Sequence, residues 1–216
     1  MKKGKFVVFE GIDGSGKATQ VKLLSKKLKI PHEVISFPRY GNNPHADQIK
    51  KYLKGELGKK EKISPYEISL EYAGDRALAK SQIAKWLKDG KLVIADRYVS
   101  SSKAHLGAQL PESERQKFIN WLDDLEYETN NIPREDLVIF LYIPPEISQK
   151  NITSKEKDIL EKDLEHQKNT GKIYLELAKN PKWVTINCIK NGKMRNKNEI
   201  NKEIRRVLID KLNLKL

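Results

Sequence analysis

The chain has a single cysteine, few aromatic residues and no long apolar run. Of its 216 residues, one is cysteine and 7% are aromatic. Cys188 therefore has no partner for an internal disulfide and cannot build a cysteine-only metal site, and its apolar surroundings in the sequence predict a buried thiol. No apolar stretch reaches the roughly 20 residues that span a bilayer, and the first residues lack the apolar segment of a signal peptide. We expect a cytoplasmic protein with no membrane partner.

Positive charge is abundant, but arginine is scarce. The net charge is +13, and 8 of the 42 basic residues are arginine. A basic surface attracts phosphate at long range. The basic residues are nevertheless spread along the whole chain, without a recognisable nucleic-acid-binding motif. We expect small acidic molecules such as nucleotides, and not nucleic acid, to be the partners of this charge.

Five apolar runs alternate with helical patterns along the chain. This alternation predicts an α/β fold in which helices cover both faces of a five-stranded parallel sheet, with ligands at the carboxyl ends of the strands. The length and the lack of a linker predict one domain over residues 1–216. The predicted strands are 6–9, 34–37, 92–95, 137–143 and 183–189, and the predicted helices are 19–28, 64–90, 111–122, 158–179 and 197–212.

The most informative segment is residues 11–19, with the sequence GIDGSGKAT. It lies between the first predicted strand and the first predicted helix, which is the context of a phosphate-binding loop. Its glycines let backbone N–H groups turn toward an anion, and Lys17 can reach a phosphate. Ala18 stands where such loops usually carry the serine or threonine that ligates magnesium, and Thr19 follows it.

Charged and aromatic residues follow two further strands. Asp96 and Arg97 come directly after the third strand, where a carboxylate suits magnesium and a guanidinium suits a second phosphate. Arg39 follows the second strand and is flanked by Phe37 and Tyr40, a combination that suits a phosphate bearing a ring. In the long helix, Tyr72 and Arg76 are four residues apart and share one face.

The order and spacing of these motifs resemble those of thymidylate kinases, within the nucleoside-monophosphate kinase group of P-loop proteins. The resemblance rests on FEGIDGSGK at 9–17, FPRYG at 37–41, DRY at 96–98 and YLELA at 174–178. It implies a three-layer P-loop kinase fold with a short mobile lid around residues 146–162. It also implies a homodimer that transfers the γ-phosphoryl group of ATP, bound with Mg²⁺, to dTMP.

The resemblance also implies roles for individual residues. Asp13, Lys17 and Arg97 would serve catalysis, and Asp13, Asp96 and Glu161 would serve the metal. Arg76 would hydrogen-bond a carbonyl of the thymine. The implied ATP-binding residues are Gly11, Asp13, Gly14, Ser15, Gly16, Lys17, Ala18 and Thr19. The implied acceptor-binding residues are Asp13, Phe37, Arg39, Tyr40, Tyr72, Arg76, Arg97, Ser102 and His105.

The chain departs from the family pattern in its catalytic cation and in its sugar contacts. Gly14 occupies the place of an arginine in some members, and no arginine lies between Arg134 and Arg195. We therefore expect Lys155 or Lys157 of the lid to supply the cation. Leu160 and His105 stand where the family commonly has tyrosine, which leaves the exclusion of ribonucleotides open.

Two other functions stay open at this stage. The first is a kinase for another nucleoside or deoxynucleoside monophosphate. The second is a weakly catalytic P-loop protein that binds nucleotides or nucleic acid, which Ala18 and the arginine-free lid would suit. A second phosphate grip in Arg39 and Arg97 argues against the second alternative, because a protein that only binds ATP does not need one.

Overall fold

The computed structural model describes residues 3–58, 63–151, 160 and 163–214. It contains a central five-stranded sheet, a small hairpin, eight α-helices and one π-helical segment in these ranges. In chain order the elements are β1 Lys5–Glu10, α1 Lys17–Lys27, β2 His32–Ser36, α2 Pro44–Lys54, α3 Pro65–Lys88, β3 Leu92–Asp96, α4 Val99–Gly107, α5 Glu112–Asp123, the π-helix Asp124–Thr129, β4 Leu137–Tyr142, α6 Pro145–Asn151, α7 Leu164–Leu177, β5 Trp183–Asn187, β6 Ile189–Lys190, β7 Lys193–Met194 and α8 Lys197–Leu212.

The sheet is parallel throughout, with the order β2-β3-β1-β4-β5. The chain runs from β1 toward one edge and later returns to the other side of β1 through β4. Loops that follow β1 and its neighbours therefore diverge at the carboxyl end of β1, which is where open α/β sheets bind ligands. The five predicted strands and the predicted parallel sheet are confirmed.

Each central strand contributes side chains to both faces of the sheet. In β1, Phe6 and Val8 belong to a core cluster shared with α3, α4 and α5. Val7 and Phe9 alternate with them and belong to a cluster shared with α1 and α8. Burial on both faces explains why the strands appear in the sequence as continuous apolar runs. Cys188 is buried directly after β5, as predicted, and burial raises the pKa of its thiol to about 12.

The long helix begins where the sequence indicates. Pro65 is the first helical residue of α3, and Ser64 caps the helix: its hydroxyl accepts a hydrogen bond from Tyr66 N at 3.2 Å. The Glu67 carboxylate in turn accepts a hydrogen bond from Ser64 N at 2.9 Å. Such a capping box satisfies N–H groups that a helix start leaves without partners. In the described ranges, no helix is both long enough and apolar enough to cross a membrane.

Three features differ from the sequence predictions. Helices α2 and α4 are additional, and the start of α2 carries the expected signals, with Asn43 as cap and Pro44 as first residue. Helix α6 covers the start of the segment expected to form a lid, residues 146–162, and most of the rest of that segment lies outside the described residues. The helix expected over 158–179 is described as α7 from Leu164 onward, where Asp163 accepts from His166 N at 2.9 Å.

Candidate active site

The phosphate loop turns sharply between β1 and α1. Gly11, Gly14 and Gly16 all have positive φ angles, of 148°, 75° and 91°, which favour glycine. A Cβ atom on Gly11 would also lie 2.7 Å from Leu141 O, so the close approach of β4 adds a second reason for glycine there. The loop leads directly into α1, whose first residue is Lys17. The loop N–H groups and the start of the helix are thus available to an anion.

Lys17 is held inside this loop. Its Nζ donates to Gly11 O at 2.8 Å and to Ile12 O at 3.0 Å. Burial, together with the charge of Arg97, lowers the pKa of the Lys17 ammonium to about 8. A bound phosphate would offer this buried cation a stronger acceptor than two carbonyl groups. Ser15 Oγ is also buried, without a hydrogen-bond partner among the described residues.

Ala18 and Thr19 are exposed on the first turn of α1. Ala18, Ser36 and Asp96 line a cavity beside the loop. Ala18 brings only a methyl group to this cavity, so the missing hydroxyl is not replaced at the same position. Asp96 contributes a carboxylate to its wall.

Arg97 joins the phosphate loop to β3 through an ion pair with Asp13. Arg97 has a φ of 69°, which is strained for a residue other than glycine, and its N–H donates to Phe9 O at 3.0 Å. Burial alone would raise the pKa of the Asp13 carboxyl, but the charge of Arg97, assisted by that of Lys17, holds this pKa well below its usual range. The Arg97 Nη1 atom also lies 3.2 Å from His105 Nε2.

A cavity of about 390 Å³ opens beside Asp13 and Arg97. Its volume is in the range of sites for small ligands, and aromatic and apolar side chains form much of its wall. It brings together most of the predicted acceptor-binding residues, namely Asp13, Phe37, Tyr40, Tyr72, Arg97, Ser102 and His105, and the predicted metal residue Asp96.

Arg39 and Arg76 do not line this cavity. Arg39 is bound to Asp75 of α3: its N–H and Nε donate to the carboxylate at 2.9 and 2.8 Å, and its Nη2 donates to Asp75 O at 2.9 Å. The Arg39 Nη1 atom makes no hydrogen bond to any residue of the described part of the chain. A contact between Arg39 and an acceptor phosphate stays a prediction, and it would use this nitrogen.

Arg76 is the largest fully buried side chain, with 1% exposure. It forms an ion pair with Glu126 of the π-helix and donates to Tyr98 O at 3.2 Å and Ser102 Oγ at 2.9 Å. The guanidinium therefore lies behind Ser102, which is itself in the cavity wall. The predicted hydrogen bond from Arg76 to a base stays a prediction.

Sequence reasoning gave no role to several residues of the site. Glu10, Ser101 and Tyr174 form a buried hydrogen-bonded group directly beneath it. The signal for Glu10 was available, because a carboxylate at the end of an apolar strand is seldom buried without partners. Leu160, which stands in the sequence in place of a family tyrosine, is buried in the cavity wall.

Asp13 and Asp96 could hold magnesium together with a nucleotide. Within the described ranges, no group of three or more His, Cys, Asp or Glu side chains is placed to hold a metal ion. Magnesium commonly uses one or two carboxylates together with water and substrate phosphates, so this open pair fits it. The third predicted metal residue, Glu161, and the predicted lid cations Lys155 and Lys157 lie outside the described residues.

A parallel sheet with a phosphate loop on its central strand, and a second cation beside an aromatic-lined cavity, defines a P-loop phosphotransferase that acts on nucleotides. Residues 9–200 match the family model of thymidylate kinase. The chain belongs to the thymidylate kinase family.

Individual relatives agree with this assignment. The chain is 32% identical over 182 residues to thymidylate kinase of Mycobacterium tuberculosis, covering 80% of this chain and 85% of the relative. It is 34% identical over 181 residues to thymidylate kinase of Thermoanaerobacter sp., with 82% and 85% covered. The solved structure of thymidylate kinase from Candida albicans superposes with a TM-score of 0.81 and 23% identity, covering 98% of this chain and 93% of that one. This last match establishes the fold.

Proposed function

We propose that the chain transfers the γ-phosphoryl group of ATP to dTMP, giving ADP and dTDP, as a step toward dTTP. The observation that supports this most directly is the placement of two phosphate-binding cations around Asp13. Lys17 lies in the phosphate loop, and Arg97 forms an ion pair with Asp13 and lines the cavity; the charges of both act on the Asp13 carboxylate. A nucleotide-binding protein without an acceptor would need only the first of them.

The donor half of the reaction depends on the phosphate loop. Backbone N–H groups of residues 11–17 and Ser15 Oγ would hold the β-phosphate of ATP, and Lys17 would leave its carbonyl partners to contact the transferred group. Mg²⁺, when bound with ATP, would neutralise charge that develops on the phosphoryl group. Asp13 and Asp96 would hold that ion. Phosphoryl transfer depends mainly on positioning, so the chain needs no covalent nucleophile.

The acceptor half depends on the 390 Å³ cavity. Arg97 would hold the phosphate of dTMP, with Arg39 as a second contact. Phe37, Tyr40 and Tyr72 would enclose the thymine, which is flat and suits aromatic walls. Ser102 would contact the base, and Arg76, which donates a hydrogen bond to the Ser102 hydroxyl from behind, would hold that hydroxyl in place. Lys155 or Lys157 would stabilise charge in the transition state.

The acceptor specificity has a second candidate. Leu160 and His105 both lie in the cavity wall, where they offer an apolar side chain and an imidazole in place of two tyrosines. Burial lowers the pKa of His105 well below its usual value, so a neutral ring would face the sugar. The alternative function that this wall supports is a kinase that accepts several nucleoside monophosphates, including ribonucleotides.

The deciding experiment measures diphosphate formation with ATP and Mg²⁺ against dTMP, dUMP, UMP, CMP and AMP. We expect the highest kcat/KM with dTMP. A higher kcat/KM with another monophosphate would identify that monophosphate, and not dTMP, as the substrate. The absence of turnover with every acceptor would favour a nucleotide-binding protein instead.

The role of the lid lysines has its own test. Lys155→Ala combined with Lys157→Ala should lower kcat more than either KM, whereas an unchanged kcat would assign the cation elsewhere.

We also propose that the enzyme is a cytoplasmic homodimer that uses the exposed face of α3. Leu70 and Leu78 are 51% and 58% exposed there, two turns apart on the helix. Large apolar side chains at this spacing can meet the same helix of a second copy. Light scattering of the wild type and of Leu78→Glu tests this, since only the wild type should have the mass of two chains.

A further inference from the structure

Glu10 is fully buried at the point where β1 meets the phosphate loop. Its exposure is 0%, and its carboxylate accepts four hydrogen bonds. Oε1 accepts from Tyr98 N at 2.9 Å and Ser101 N at 3.1 Å. Oε2 accepts from Ser101 Oγ at 2.7 Å and Tyr174 Oη at 2.8 Å. One side chain thus connects three separate elements of the fold, namely β1, the start of α4 and α7.

The bonds to backbone N–H groups give Glu10 the role of a helix cap. Helix α4 has Tyr98 at its cap position and no side-chain cap of its own. Glu10 supplies this cap from β1, and a carboxylate at a helix start also interacts favourably with the helix dipole. Arg97 directly precedes this start. The strained backbone of Arg97 therefore lies between two anchors on β1, the Phe9 carbonyl and the Glu10 carboxylate.

The hydroxyl bonds extend the group to the cavity wall and to α7. Ser101 Oγ lies 3.4 Å from Arg97 Nη1. Tyr174 stacks on Phe140 with ring centroids 5.4 Å apart and meets the edge of His105 at 5.9 Å. Burial raises the pKa of the Glu10 carboxyl, while the hydroxyls of Ser101 and Tyr174 and the charge of Arg97 act in the opposite direction. Glu10, Ser101 and Tyr174 are called the Glu10 cluster below.

We propose that Glu10 is a positioning residue for the acceptor phosphate, which acts by fixing Arg97 through the Glu10 cluster. This inference rests on the proposed role of Arg97. A structural role alone does not explain the charge, because a buried carboxylate costs more than a neutral residue of similar shape. On the α1–α8 side of the sheet, Gln20 and Asn201 make a buried hydrogen bond at 3.1 Å without an ionised group.

The test compares acceptors with and without the phosphate. Binding of dTMP and of thymidine is measured by calorimetry on the wild type, Glu10→Gln and Tyr174→Phe. Tyr127→Phe is the matched control, because the Tyr127 hydroxyl also donates to a glutamate, Glu135, at 2.8 Å. The method needs no turnover.

We expect Glu10→Gln to weaken dTMP binding about tenfold and Tyr174→Phe about threefold, as the loss of charge-assisted hydrogen bonds implies. Thymidine binding should stay within about twofold of the wild type in both variants. Tyr127→Phe should change neither ligand. If Glu10→Gln does not fold, the comparison of dTMP and thymidine binding in Tyr174→Phe decides the proposal.

Two outcomes would overturn the proposal. Equal losses for dTMP and thymidine would indicate a general structural role, and unchanged dTMP binding in both variants would remove Glu10 from phosphate recognition. If the wild type binds another monophosphate instead of dTMP, the proposed substrate fails. The same comparison is then made with that monophosphate and its nucleoside, so the two failures stay separate.

Discussion

The two faces of the sheet bury different chemistry. On the face covered by α1 and α8, the core is built from aliphatic side chains such as Leu24 and Ile204, and its buried polar pair, Gln20 and Asn201, is neutral; the buried charge of Lys17 lies in the phosphate loop, where α1 begins. On the face covered by α3, α4 and α5, Arg76 and the other ionised side chains lie among the apolar ones. The buried charged residues on that face are Asp75, Arg76, Lys103 and Glu126.

This difference follows the position of the site. Buried charges are costly and contribute little net stability, so their presence on one face indicates a role other than holding the fold. The charged face carries the aromatic cavity wall, while the neutral face supports the phosphate loop from behind. Substitutions on the two faces should therefore separate loss of function from loss of stability.

Lys17→Met should give the largest effect. The substitution keeps an unbranched side chain in the loop but removes the cation that contacts the transferred group. Removal of one preorganised donor typically lowers kcat by about 10²–10³-fold, and we expect about 10³ here. Steady-state kinetics at saturating ATP and dTMP measure it. Lys27→Met, on the same helix and exposed, should keep wild-type turnover, and a comparable loss there would mean that helix charge in general matters.

Ile204→Ala should give the largest effect on the neutral face. Ile204 is fully buried in α8 against the sheet. Its truncation leaves a cavity, and such changes cost about 2–5 kcal/mol of unfolding free energy. Urea unfolding measures this loss. The KM for dTMP should stay unchanged in the folded fraction, and an increase would show that the two faces are coupled.

Arg97→Ala should weaken the acceptor and not the donor. It removes a charge-assisted contact to the phosphate, which is worth about 1.5–3 kcal/mol, or roughly 10- to 100-fold in KM for dTMP. Initial rates with dTMP varied at saturating ATP measure it. The KM for ATP should change little, and Arg206→Ala, which alters an exposed arginine of α8, should change neither constant. A larger rise in KM for ATP than for dTMP would place Arg97 on the donor side.

The buried ammonium of Lys17 predicts a pH-dependent cost in stability. Its pKa is about 8 in the folded chain and near 10.5 when unfolded. Between these values the unfolded state binds more protons, so the stability contributed by this group rises with pH. Below pH 8 the cost is fully present, at about 2 kcal/mol after allowance for relaxation. Without nucleotide, Lys17→Met should exceed the wild type in stability at pH 7 by more than at pH 10. A pH-independent difference in urea unfolding would refute this.

Much of the fold could be predicted from the sequence because its signals are local. The five strands are continuous apolar runs, and the start of α3 carries its serine, proline and glutamate within four residues. The phosphate loop is likewise contiguous. Helix α4 escaped prediction because its cap comes from Glu10, which lies 88 residues before Tyr98 in the chain.

The acceptor side of the site was less predictable because its residues also depend on partners that are distant in the sequence. Arg39 and Arg76 were recognised as important residue types, but their partners Asp75 and Glu126 are set by tertiary contacts. Sequence spacing cannot show that a guanidinium is already bound to a buried carboxylate. It also could not reveal that Tyr174 reaches Glu10 across the molecule.

Ser64→Ala tests the smallest effect, at the edge of the charged face. The variant loses one half of the α3 capping box, which typically costs about 1 kcal/mol. The loss should be confined to the first turn, because Tyr72 and Arg76 lie two or more turns farther along the helix. Urea unfolding should show the cost while the KM for dTMP stays unchanged. Ser81→Ala, at an exposed position inside the same helix, should be neutral or slightly stabilising because alanine favours helix. A rise in KM for Ser64→Ala alone would show that the start of α3 helps to position the base-binding wall.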